Sequence, residues 1–189
     1  MADYNKDSIA QDTSTGTARQ RSGGMVTGLF KDRESAEGAY RSLNDRGYSK
    51  DDVNLLMSDD TRKKYFTNTE TELGTKAWED AGKGAAIGGG IGATLAAIAA
   101  IGTTLALPGL GLLIAGPIAA ALAGGGTGAL TGGLIGALVG HGIPEEHAKH
   151  YEKGIKDGGI VMGVTPRNPE DADYFEKDWR TNRAESIYR

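Results

Sequence analysis

His147 and His150 stand three residues apart beside Glu145 and Glu146, in a stretch whose pattern predicts a helix opening at Pro144. That spacing puts both imidazoles on one helix face, and with Glu146 they form the chain's candidate set for a divalent metal. The same residues also make an ordinary solvated face, the commoner use of such a pattern. Gly88-Gly89-Gly90-Ile91-Gly92-Ala93 matches a degenerate dinucleotide fingerprint. No strand pattern precedes it and no acidic residue follows about twenty positions on, so the context for cradling a pyrophosphate fails. Gly82-Lys83 lacks the hydroxyl residue and the earlier glycine of a phosphate loop. The chain has no cysteine, which removes thiolate ligands and thiol nucleophiles together. No serine is set in a nucleophile elbow. The sequence therefore assigns no catalytic and no cofactor-binding residue. Arg62-Lys63-Lys64 beside Tyr65 and Phe66 is a small basic–aromatic cluster, suited to lipid headgroups or phosphate, or else to a plain helix surface.

Those groups sit in a polar body of unusual layout. The chain has 189 residues, a formal net charge of −4 and 30 glycines. The acidic balance argues against a general polyanion-binding surface, and no nucleic-acid partner is expected. Residues 1–24 are polar, lack an apolar signal-peptide core and predict a disordered tail. Order is expected from Met25. Val26-Thr27-Gly28-Leu29-Phe30 has strand length, Asp32 can cap a helix, Gly47 can end it, and Val53-Asn54-Leu55-Leu56-Met57 reads as a second strand. Later, Ala148, Tyr151 and Ile155 space a helical face, Ile160-Val161-Met162-Gly163-Val164 reads as a third strand, and 169–180 as a last amphipathic helix. Residues 181–189 are expected to fray. Neither half can bury a sheet alone, so 25–78 and 143–180 are expected to share one small three-stranded α/β domain, ferredoxin-like or similar.

Between the halves lies the anomaly. From 84 to 140 run 57 residues without a charge, 17 of them Gly and 15 Ala. Segments 84–107 and 117–140 are each long enough, at about 36 Å as helices, to cross a hydrocarbon core of about 30 Å. Leu107-Pro108-Gly109-Leu110-Gly111 reads as the turn between them. The region 79–142 is thus predicted to be a Gly/Ala-rich antiparallel helical hairpin. Gly84, Gly88 and Gly92 recur every four residues in the first segment, and Gly116, Gly124, Gly128, Gly132, Gly136 and Gly140 keep that frame in the second. Small residues at this spacing let helix backbones approach closely. The stripe drifts by about 40° per repeat, which shows it to more than one neighbour and predicts a homo-oligomer. Trp78 and Tyr151 fall just outside the two ends, where interfacial aromatics would sit. Lys76, Lys83, Lys149, Lys153 and Lys156 flank one side, which puts the α/β body on the cytoplasmic side of a membrane.

Several pieces in fixed order resemble the bacterial general-stress proteins that carry a heat-induced stress protein domain, including low-temperature-induced relatives. They are Val26-Thr27-Gly28-Leu29-Phe30 with Ala36 and Leu43, Gly47-Tyr48-Ser49-Lys50-Asp51-Asp52-Val53, and Leu107-Pro108-Gly109-Leu110-Gly111 with Ala115-Gly116-Pro117. Gly142-Ile143-Pro144-Glu145-Glu146-His147-Ala148, Tyr151 and Gly158-Gly159-Ile160-Val161 complete the set. The resemblance implies a non-enzymatic role under stress and carries no catalytic or cofactor residues. The expected function is a stress protein that self-associates through glycine-zipper helices, in or on the cytoplasmic membrane, with itself and the lipid bilayer as partners. The alternatives are a soluble filament or shell without lipid, and an α/β domain that senses a small molecule.

Overall fold

The computed structural model describes residues 24–73, 95, 103–107, 110–119 and 127–189. Along the chain run β1 (Val26–Phe30), α1 (Arg33–Asp45), β2 (Val53–Ser58), α2 (Asp59–Leu73), β3 (Thr103–Leu107) and β4 (Leu110–Ala115). They are followed by α3 (Thr127–Gly140), α4 (Glu145–Lys156), β5 (Ile160–Val164), α5 (Pro169–Thr181) and β6 (Glu185–Tyr188).

Local chemistry sets the element ends. The Asp32 carboxylate accepts from the Ser35 N–H at 2.8 Å, which caps α1 and holds Asp32 below the usual aspartate range. The helix stops where Gly47 takes φ +75° and the Tyr48 N–H turns back to the Leu43 carbonyl at 3.0 Å. Gly158, at φ +91°, closes α4 in the same way. Asn168 caps α5 by accepting from the Asp171 N–H at 2.7 Å. Asp171 also ties the turn after α1 to the start of α5, accepting from the Tyr48 hydroxyl and from Arg46, each at 2.6 Å. Burial alone would raise its carboxyl, yet these donors hold it below the usual range.

The strands form one six-stranded sheet in the order β3-β4-β2-β5-β1-β6, with every neighbouring pair antiparallel. It follows that β1 and β2 run parallel, linked by α1, with β5 between them. Likewise β5 and β6 run parallel, linked by α5, with β1 between them. Two crossover units interlock in this way.

Side chains alternate between the two faces of the sheet. Val26, Phe30, Val53, Leu55, Met57, Ile160, Met162 and Val164 face a core shared with α1, α5 and Phe66 of α2. Leu29, Leu56, Leu112, Ile114 and Val161 face a second core closed by α3 and α4. Covering both faces explains why β1, β2 and β5 are buried at every position. It also explains why they read as continuous apolar runs rather than alternating ones.

Three expectations are corrected. The sheet has six strands, not three. The helical hairpin expected over 79–142 is replaced in part by sheet: 103–107 and 110–115 pair as a β-hairpin, with Leu107 opposite Leu110, and β4 then pairs with β2. Leu95, mid-way along the first segment expected to cross lipid, is helical and fully buried in the core that contains α1 and α5. The apolar residues of this region find the edge of a sheet to pack on, which a lone hairpin would lack. Among the described residues no helix is long and apolar enough to cross a membrane. The frayed end expected at 181–189 is instead β6, which pairs with the otherwise open edge of β1. Arg189 reaches Asp173 there, and the Tyr151 hydroxyl donates to the Ser186 carbonyl at 2.5 Å.

Candidate functional site

The residues expected to carry self-association do not share one straight helix face. Gly84, Gly88, Gly92 and Gly124, with Trp78, Lys76, Lys83 and the tail 1–23, lie outside the described residues. Gly128, Gly132, Gly136 and Gly140 belong to α3, but Gly133 breaks that helix at φ 58° and ψ −144°. Such a conformation is open essentially to glycine alone. The four-residue stripe is therefore interrupted between Gly132 and Gly136. Leu134 and Leu138 beyond the break lie on the sheet. Gly116 is reassigned altogether. It takes φ +97° at the end of β4, and a Cβ there would be driven into the Val53 carbonyl and sit 2.9 Å from the Asn54 Cα. Its smallness serves the β4–β2 contact within one chain. The next residues turn helical at Pro117–Ala119, where the Ile118 N–H donates to the Asn54 Oδ1 at 2.7 Å.

What the glycine-rich segment does supply is an edge. β3, with the sequence Thr-Thr-Leu-Ala-Leu, is the outermost strand on its side of the sheet, and among the described residues it pairs only with β4. Edge strands are usually guarded by lysines, prolines or bulges against pairing with another copy. β3 has no lysine and no proline, and its register with β4 is regular.

The metal candidates separate. His147 turns onto the Tyr188 ring at 4.9 Å between centroids, while His150 lines a cleft with Lys153, and Glu146 is exposed. Among the described residues no group of three or more such side chains could hold a metal ion. One turn beyond His147 on α4, Tyr151 is fully buried, with its hydroxyl 2.9 Å from the Thr27 Oγ1. Burial pushes this phenol up to about 12.

At the end of the sheet where β1 and β2 finish and β5 begins, two clefts of about 410 and about 390 Å³ share Lys31 and Asp157. The first is lined by Leu29, His150, Lys153, Gly154, Gly159 and Glu185. The second is lined by Ser58, Asp60, Thr61, Lys64, Tyr65, Lys156 and Gly158. Gly154 and Gly159 belong here because Leu29 lies directly beneath them. A Cβ at Gly159 would meet the Leu29 Cδ1 at 2.9 Å. The basic cluster read from the sequence divides at this groove. Arg62 and Lys63 both turn to Asp59, at 3.1 and 2.6 Å, and hold its carboxyl below the usual range. Lys64 alone of the three lines the groove. The sequence offered no signal that Lys31, Lys64, Lys153 and Lys156 would meet, because β1, α2 and α4 are brought together only by the sheet order.

Comparison of the chain with protein-family models, with curated proteins and with solved structures gives no match.

Proposed function

We propose that the chain is a non-enzymatic general stress-response protein that acts by self-association, with the outer edge of β3 as the seam between copies. One observation carries the seam: among the described residues, an uncharged strand with no neighbour on its outer side ends a six-stranded sheet. A second copy offers the same strand, and two such edges can pair antiparallel about a two-fold axis. The stress role rests on the ordered pieces that resemble the stress-domain family. The interlocked crossover units, with the strand order β2-β5-β1-β6, support a ferredoxin-like reading of the body. The insert then extends that sheet through β4 and β3 and adds α3 beside α4 on its second face. This version of the assembly needs no crossing of lipid, because 103–107 and 110–115 are spent in the sheet.

The test is sedimentation velocity of the full chain across a hundredfold concentration range, beside Thr104→Lys. Lysine on an edge strand repels its symmetry mate and is a natural guard against edge pairing. The native chain is expected to assemble. The variant is expected to do so at least tenfold more weakly, with an unchanged circular dichroism spectrum. A native chain that stays monomeric throughout, or a variant that assembles equally well, would overturn the reading.

A further inference from the structure

We propose that the two adjoining clefts between the start of α2 and the end of α4 together bind a phosphate group, with Lys64 on one side and Lys153 on the other as its principal cationic contacts. Two triplets of basic residues approach this end of the sheet, and each leaves one member without a carboxylate partner among the described residues. On α2, Arg62 and Lys63 are held by Asp59. On α4, Lys149 pairs with Glu145 at 2.6 Å and Lys156 with Glu152 at 2.5 Å. Lys64 and Lys153 have no carboxylate within salt-bridge distance among the described residues; Lys64, its ammonium 4.8 Å from the Tyr65 ring centroid, lines the second cleft, and Lys153 lines the first, which adjoins it at Lys31 and Asp157. Lys31, where the two clefts join, is held by Glu185 at 2.6 Å.

The surroundings suit a compact anion. The Ser58 and Thr61 hydroxyls are 2.8 Å apart at the entry to α2, and the Tyr65 ring forms part of the wall. Lysine meets a phosphate as a mobile point charge and needs no fixed approach angle, so exposed lysines without a carboxylate partner are adequate ligands. Asp60 and Asp157 also line the walls. Their negative charge disfavours a long polyanion such as nucleic acid, in keeping with the net charge of −4. What the groove admits is a single phosphate or diphosphate, either on a free small molecule or on a lipid headgroup.

The experiment titrates the full chain with inorganic pyrophosphate and, separately, with vesicles of phosphatidic acid in phosphatidylcholine. Lys64→Gln/Lys153→Gln is measured alongside, with Lys177→Gln on α5 as control. Saturable binding that weakens at least tenfold in the double variant, and not in the control, is the expected result. Binding of pyrophosphate would identify a free phosphate compound. Binding of the vesicles alone, with the same lysine dependence, would identify a headgroup. Failure of both probes to bind, or binding indifferent to the two lysines, would overturn the assignment. The outcome is independent of assembly, because Thr104→Lys leaves the groove untouched and can be titrated in the same way.

Discussion

Gly116→Ala is expected to destabilise the domain by about 2–6 kcal/mol, the sum of a left-handed backbone and a clash with backbone atoms. Alanine pays strain at φ +97°, and its Cβ would run into the Val53 carbonyl and the Asn54 Cα. Neither neighbour is a flexible side-chain tip, so β2 itself would have to move, and β2 sits at the centre of the sheet. Gly140→Ala is the matched comparison, since a Cβ there meets nothing within 4 Å. It is expected to change stability by no more than about 0.5 kcal/mol. Urea unfolding of both variants measures the difference. If both glycines served one zipper, the two substitutions would disturb assembly alike and spare the fold. The structure instead separates them by what lies beside each.

The stability of the folded chain is expected to fall by about 2–3 kcal/mol as the pH rises from 10 to 12, through Tyr151. The sign follows from the direction of the shift. An unfolded tyrosine ionises near pH 10, whereas the buried Tyr151 holds its proton to about 12. Its contribution is complete below the unfolded value and is lost as the pH rises through the folded one. The hydroxyl donates to the Ser186 carbonyl on β6 and lies 2.9 Å from the Thr27 Oγ1 on β1, so its ionisation loosens α4 and β6 together. Tyr151→Phe should lower stability at neutral pH by about 1–3 kcal/mol, because both partners lose a hydrogen bond. It should also flatten the alkaline fall. Denaturant titrations at several pH values, with tyrosinate absorbance read in parallel, would show this. An alkaline limb of equal slope in the variant would assign the loss to another group.

Much of the α/β body was legible in the sequence, because each signal there had a local cause. Asp32 caps α1, Gly47 ends it, and the apolar runs at 26–30, 53–57 and 160–164 are strands buried on both faces. The segment 84–140 defeated the same reasoning for a physical reason. With no charged residue to mark an outward side, periods of 2 and 3.6 cannot be told apart, and four-residue glycine spacing fits a helix by default. The signal for a β-hairpin was present in the two residues between Leu107 and Leu110, flanked by Thr-Thr-Leu-Ala and Gly-Leu-Leu-Ile. β6 was missed because Ile187 and Tyr188 alone make a weak strand pattern. It forms because the edge of β1 is there to receive it. The groove lysines belong to the same class of information: their meeting follows from strand order, which no local pattern records.

The central claim is that copies join at β3, and hydrogen exchange at the backbone amides of 103–107 addresses it most directly. The full chain would be followed by mass spectrometry at two protein concentrations a hundredfold apart, with β6 on the opposite edge as the internal reference. Joining at β3 predicts that its exchange slows at the higher concentration while that of β6 does not change. Exchange at β3 that is independent of concentration would contradict the claim and leave the edge without a role in assembly.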